Sequence, residues 1–299
     1  MKIDAFATLD AVLRGGTLAA AAAEMNLTPS AVSMQMKQME IYFGQPLFDR
    51  SGLQVRPMPL AHEAASAMRG ALQQVAALRK RHSTAIAGTV RLGVIDSMQP
   101  VVLPGTIRLL RERYPQLEVK PARGRSAGLT AAVKAGELDA AVVAQPERGA
   151  SGRLRWQPLV RHELVLVAPP TATESSVAAL FRQYEWIRYD RGTISGALAV
   201  RYVNTQVPEK RGHLEFDSVG AIVPMVSAGL GIAVVQIADF TLCQSYPVRI
   251  VRLGRHAPVL QMSLVSRKAD DDDRPIGALR DAITSVLTDA QRQRTARGM

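Results

Sequence analysis

The sequence predicts an α/β protein in three parts: a helical module at the amino end, one long helix, and a larger body of two α/β lobes. Three observations predict it. Residues 17–39, TLAAAAAEMNLTPSAVSMQMKQM, read as two short helices about a tight turn. Residues 60–85 repeat apolar side chains at spacings of three and four. Beyond Ala87-Gly88, short apolar runs alternate with amphipathic stretches, the pattern of a parallel sheet with covered faces.

Composition sets the bounds. With 299 residues the chain is long enough for two or three domains with their own cores, and 47% hydrophobic residues fit a globular protein. The formal net charge of +11 favours an anionic partner. Cys243 is the single cysteine, so neither a disulfide nor a cysteine-based metal cluster can form within the chain. It sits among apolar residues and reads as an inert core thiol. No apolar run approaches the ~20 residues of a membrane span, and the start MKIDAFATLDAVL reads as an amphipathic helix, not a signal peptide. A cytoplasmic protein with no membrane partner is expected.

Residues 3–14 form the first helix, with Ile3, Phe6, Leu9, Ala11 and Leu13 on its apolar face and Gly15-Gly16 ending it. Thr17 is an N-cap for the second helix, whose alanines let a partner helix approach closely. Asn26 suits the left-handed position that ends a helix. Thr28 caps the third helix, and Pro29 occupies its first turn, where a missing N–H costs nothing. Leu27 and Val32 have the spacing of a hydrophobic staple. In the third helix Val32, Met36, Met39 and Phe43 follow the 3.6-residue repeat, which leaves Ser30, Ser33, Met34, Lys37 and Gln38 on the opposite side. A helix offering hydroxyls, an amide and one positive charge fits the major groove. The alternative is any amphipathic hairpin with a solvated polar face.

Residues 44–56 read as a two-stranded ribbon turning at Ser51-Gly52. In the long helix over 60–85, Ala61, Ala64, Met68, Ala71, Val75, Leu78 and His82 form a heptad seam. The seam calls for a partner helix or for burial within its own chain. The cluster Arg79-Lys80-Arg81 is expected in solvent. Strands then follow at 89–95, 117–121 and 140–143, with helices at 101–114 and 127–135, the latter stopped by Gly136. The strand ELVLVA, 163–168, leads to Pro169-Pro170, read as the crossover into a second lobe. That lobe has strands at 186–189, 213–216, 232–235 and 248–252, and helices at 177–183, 195–204 and 219–228. A strand at 259–266 returns to the first lobe. An acidic turn at 270–273, a closing helix at 276–292 and a frayed tail at 293–299 complete the chain.

The stretch AAAEMNLTPSAVSMQMKQMEIYFGQPLFDRSG resembles the winged helix-turn-helix of LysR-type transcriptional regulators. The alanine-rich helix, the S-A-V-S core of the recognition helix, Glu40 and the segment GQPLFDR carry the resemblance, which continues in outline over nearly the whole chain. Two positions depart from the pattern: Pro29 stands where many members carry Gln, and Met34 where many carry Arg. The resemblance implies a winged helix-turn-helix over 1–58, a linker helix that makes the dimer over 59–87, and an effector-binding domain over 88–299. That domain is similar to periplasmic binding proteins, with lobe I at 88–161 and 266–299 and lobe II at 162–265. Double-stranded DNA, a small-molecule effector and self-association as dimer or tetramer are the implied partners. Thr28, Pro29, Ser30, Ser33, Met34, Gln35 and Lys37 are the expected DNA-contacting residues of the recognition helix. Gln35 matches a family position, but its helical angle turns it partly toward the core. Arg50 and Arg56 of the wing would face the phosphates or the minor groove; solvated surface arginines are the alternative.

Four loops are expected to line the effector cleft, at the carboxyl ends of strands. They are Asp96-Ser97-Met98, Arg125-Ser126, Thr193 with Ser195, and Asp217-Ser218. Helix N-termini there favour carboxylates or other anions, and the hydroxyls add contacts. Simple helix capping is the competing role for each Ser or Asp. Arg125 points to an acidic ligand and Asp96 to an amine, so the ligand's charge stays open at this point.

An enzyme is not expected. His62, His82, His162, His213 and His256 show no metal-ligand spacing and share no local motif with an acid and a nucleophile. Gly93, Gly124, Gly128 and Gly136 make neither a P-loop nor a dinucleotide fingerprint, and Gly229-Leu230-Gly231 reads as a turn. No catalytic residue, metal or cofactor is expected. The function expected is DNA-binding transcriptional regulation switched by an effector in the cleft. The alternative is a DNA-binding repressor or architectural protein with no physiological effector.

Overall fold

The computed structural model describes residues 3–49, 56–80, 86–147, 151–174 and 176–296. The chain divides into two compact units, Met1–Thr84 with Ala135–Glu137, and Ala85–Lys134 with Leu138–Met299. In the first, helices α1 (Asp4–Gly15), α2 (Leu18–Met25) and α3 (Pro29–Phe43) precede strands β1 (Phe48–Asp49) and β2 (Arg56–Pro57) and helix α4 (Pro59–Lys80). Gly16 ends α1 in the left-handed region, at φ 69°. A Cβ on Gly15 would lie 2.9 Å from the Cβ of Ala20, so small residues set the close approach of α1 to α2. Thr17 caps α2 by accepting from Ala20 N–H at 3.1 Å, and Asn26 ends it at φ 53°. Leu9, Ala21, Val32, Met36, Met39, Leu47 and Ala61 are fully buried in the core of this unit.

Leu27 of the expected staple is exposed, while Val32 is fully buried. The seam of α4 divides: Ala61 and Ala64 are buried against the unit's own core, Met68 is half-buried, and Ala71 and Val75 are exposed. The side chains of Leu78 and His82, the cluster at 79–81, and the turn at Ser51-Gly52 lie outside the described residues.

The described residues of the second unit form a five-stranded sheet, a three-stranded sheet and a two-stranded parallel pair. The first comprises β3 (Gly88–Val94), β4 (Leu117–Arg123), β5 (Ala140–Ala144), β6 (Leu154–Glu163) and a late strand, β12 (Val259–Arg267). Helices α5 (Gln99–Arg113), α6 (Ser126–Ala135) and α11 (Arg274–Ala296) accompany it. The strand order is β4-β3-β5-β12-β6, with β3 parallel to both β4 and β5, and β12 antiparallel to β5 and β6. β5 is apolar throughout because both faces are covered. Ala140, Val142 and Ala144 join one core, and Ala141 and Val143 join another with Leu129 and Val133 of α6.

The second sheet has order β10-β7-β11, built from β7 (Val165–Ala168), β10 (Ala233–Val235) and β11 (Arg249–Arg252). A parallel pair, β8 (Arg188–Tyr189) and β9 (Glu215–Phe216), approaches β10 through a bridge between Trp186 and Ile232. Helices α7 (Val177–Gln183), α8 (Ile194–Gln206), α9 (Val219–Ser227) and α10 (Thr241–Ser245) complete this lobe.

The chain crosses between sheets at Leu164 and returns over 253–258, and the crossings are joined by Leu164 N–H donating to the Pro258 carbonyl at 2.9 Å. Pro169-Pro170 therefore does not mark the crossover; by that point the chain has already run through β7 of the second sheet. The acidic turn is ion-paired, not merely solvated. Asp270 meets Arg267 at 2.6 Å, Asp271 meets Arg155, and Asp273 caps Ile276 N–H at 3.1 Å. α11 continues to Ala296, so the helix takes in part of the predicted tail.

Candidate nucleic-acid interface and effector cleft

The third helix acquires two faces from its caps and its period. Thr28 accepts from Ala31 N–H at 3.2 Å, Pro29 fills the first turn, and Gly44 ends the helix at φ 66°. With the start fixed, Val32, Met36 and Met39 turn fully inward. Thr28, Pro29, Ser30, Lys37 and Gln38 are exposed, Met34 is 61% exposed, and Ser33 is half-buried. Gln35 is also half-buried; its Oε1 is shielded from solvent without a hydrogen-bond partner among the described residues. Glu40 had no assigned task in the sequence. Its Oε1 accepts from Leu47 N–H at 3.0 Å and Phe48 N–H at 3.3 Å, which ties the end of α3 to the base of the ribbon. Arg56 is exposed on β2, and Arg50 lies outside the described residues.

The second unit holds a cavity of about 540 Å³ at the carboxyl ends of parallel strands, between the two sheets. Ile95, Asp96 and Ser97 follow β3; Gly124, Arg125 and Ser126 follow β4; Tyr189 ends β8; Thr193 and Ser195 open α8; Asp217 follows β9. Seven of the expected effector residues thus meet at one cavity: Asp96, Ser97, Arg125, Ser126, Thr193, Ser195 and Asp217. Met98 does not. It is fully buried in the main apolar core, at the end of the short 3-10 turn Asp96–Met98. Ser218 also stands outside the lining, where it caps α9 by accepting from Ala221 N–H at 3.2 Å.

Arg125 spans the cleft. Its Nη2 lies 2.7 Å from Asp190 and 3.6 Å from Asp217, both from the second lobe. Asp190 also accepts from Gly192 N–H at 2.7 Å. Tyr189 lies among these acids. Burial and the charges of Asp217 and Asp96 push its phenol up to about 12, against a smaller opposing effect of Arg125, so it stays a neutral hydrogen-bond donor near neutral pH. The sequence reading missed Tyr189, Asp190 and Gly192. The run Tyr-Asp-x-Gly-Thr between a strand and a helix was the available signal.

Residues 83–288 match the family model of the LysR substrate binding domain, and residues 3–61 match that of the bacterial regulatory helix-turn-helix protein, lysR family. The chain belongs to the LysR family. Among its relatives is a probable hydrogen peroxide-inducible genes activator of Streptomyces viridosporus, 32% identical over 152 residues, a match spanning 50% of this chain and 48% of that one. Another is the regulator DgdR of Burkholderia cepacia, 29% identical over 174 residues and 57% of each chain. These two matches thus span about half the length of the relatives. Full-length OxyR from Pseudomonas aeruginosa has the same fold, with TM-score 0.75 at 21% identity over 95% of this LysR-family chain and 94% of that one. No helix among the described residues is long and apolar enough to cross a membrane, and no cluster of His, Cys, Asp or Glu there could hold a metal ion.

Proposed function

We propose that this LysR-family chain is a cytoplasmic DNA-binding transcriptional regulator, and that a small-molecule effector in the cleft switches its output. The outward face of α3 carries the reading. A capped helix whose inner residues are wholly buried keeps Ser30, Met34 and Lys37 accessible at once, the condition for entering a major groove. Ser30, Ser33 and Met34 contact bases; Lys37, Thr28, Pro29 and the wing arginines Arg50 and Arg56 lie toward phosphates. The exposed half of the α4 seam, Ala71 and Val75, supports pairing with a second copy, which would present two readers to two half-sites.

A cavity of this volume suits a small effector, and closing or opening its lobes would shift the population of DNA-binding states. Peroxide sensing by an intrachain disulfide is not part of the reading. Cys243 is alone in the chain, and burial together with Asp239 pushes its thiol up, away from the reactive thiolate. Gel-shift titration across salt concentrations tests the proposal. Selective binding that survives competitor DNA supports it, and duplexes bound no better than polyanions of equal charge would contradict it.

A further inference from the structure

Each lobe brings the same two elements to the cavity: a carboxylate and a helix N-terminus. The first lobe supplies Asp96 and the start of α6, where Ser126, Ala127 and Gly128 line the wall. The second supplies Asp217 and the start of α8, where Thr193, Ile194 and Ser195 line it. First-turn N–H groups have no intrahelical acceptor, and each helix start carries about half a positive charge. Ser195 is the decisive side chain. It is only 7% exposed, it lines the cavity, and its hydroxyl meets no hydrogen-bond partner among the described residues. The hydroxyl of Thr193, by contrast, is committed: it donates to the Asp190 carbonyl at 2.7 Å and accepts from Gly196 N–H at 2.9 Å. On the cavity wall, the Ser195 hydroxyl is available to a ligand.

The charges do not fit a simple anion. Among the described residues Arg125 is the one basic side chain lining the cavity; it is held by Asp190 at 2.7 Å, while Asp217 stands farther off at 3.6 Å. Asp96 accepts from the neutral amide of Gln99, at 3.1 Å, and no cation is paired with it among the described residues. An anion would find donors at the helix starts but repulsion from Asp96 and Asp217. A simple cation would meet the carboxylates but leave two helix starts facing positive charge. We propose that the effector is a small zwitterion of the amino-acid class. Its carboxylate sits on the starts of α6 and α8 with Ser195, and its ammonium faces Asp96 and Asp217. Ile95, Ala144, Pro146 and Ile194 give its side chain an apolar wall. The proposal rests on the reading of the cavity as the effector site.

Thermal-shift and calorimetric titration of the full chain test it, using a panel of α-, β- and γ-amino acids. Each is paired with its N-acetyl derivative, its methyl ester and a dicarboxylate of similar length. At least one amino acid should raise Tm by about 5 °C at a hundredfold excess over Kd. Its N-acetyl and ester forms should bind at least tenfold more weakly. Asp96→Asn, Asp217→Asn and Ser195→Ala should each weaken it several-fold without altering the circular dichroism spectrum. Silence from every amino acid, or equal binding by a dicarboxylate or an N-acetyl form, overturns the proposal. Gly128→Phe separates the two readings. Gly128 lines the cavity and a Cβ there meets nothing within 4 Å, so a phenylalanine adds bulk at the cavity wall without a clash at its Cβ. Binding that survives Gly128→Phe removes the cavity as effector site altogether. Binding that is lost in Gly128→Phe but indifferent to ligand charge removes only the zwitterion.

Discussion

Asn26 is the one non-glycine residue at positive φ among those described, and it sits at the turn between α2 and α3. The left-handed region costs a β-branched residue about 1–2 kcal/mol more than it costs Asn or Gly. Asn26→Gly should therefore leave the urea midpoint almost unmoved, while Asn26→Val should destabilise the first unit by about that amount. Equal midpoints for the two variants would contradict the assignment. Asp270 gives a second residue-scale test. Burial raises its pKa despite Arg267, so the folded state holds the proton more tightly than the unfolded chain does. Stability from this group is full below the ordinary Asp value and falls as pH rises through the higher folded value. The stability of the wild type relative to Asp270→Asn should rise as pH drops toward 4 from neutrality. A gap that widens against the wild type on acidification would reverse the sign. At this scale caps were readable from sequence because Thr, Pro and Asn act through their own backbone. Met98 was not. Whether a residue after a strand faces a cavity or a core depends on a turn only three residues long.

Among the elements, Lys37 tests the proposed orientation of α3. If Lys37 meets a phosphate, Lys37→Ala should weaken binding to all duplexes about equally and reduce the salt slope by roughly 1. Met34→Ala should instead change the preferred sequence. A Lys37→Ala variant whose affinity and salt slope match the wild type would contradict that placement. Most helices and strands were legible because their periods are strong; β6 and α10 were not. β6 is an edge strand with Arg155, Arg161 and Glu163 interleaved among its apolar residues, and it carries Pro158. The pairing with β12 shifts register where Met262 faces Val160 and Ser263 faces Pro158, so Leu159 is the unpaired extra residue. A proline is tolerated at such an edge bulge, but it erases the alternation that marks a strand. α10 is a five-residue helix, too short to show a helical period.

For the molecule as a whole, we propose that the exposed face of α3 reads DNA sequence, with a symmetric pair of chains setting the spacing of what is read. The cavity's position could be foreseen from strand order, because ligands gather at carboxyl ends of parallel strands. Its charge balance could not, since Arg125, Asp190 and Asp217 come from distant parts of the chain and meet only in the fold. In vitro selection from a random duplex library tests that reading of DNA, run with the wild type beside a Ser30→Ala, Met34→Ala, Lys37→Ala triple variant. The wild type should enrich a two-fold symmetric site with half-sites about one helical turn apart, and the variant should lose that enrichment while keeping the wild-type circular dichroism spectrum. Enrichment of the same site by both proteins, or no enrichment by the wild type, would contradict the account.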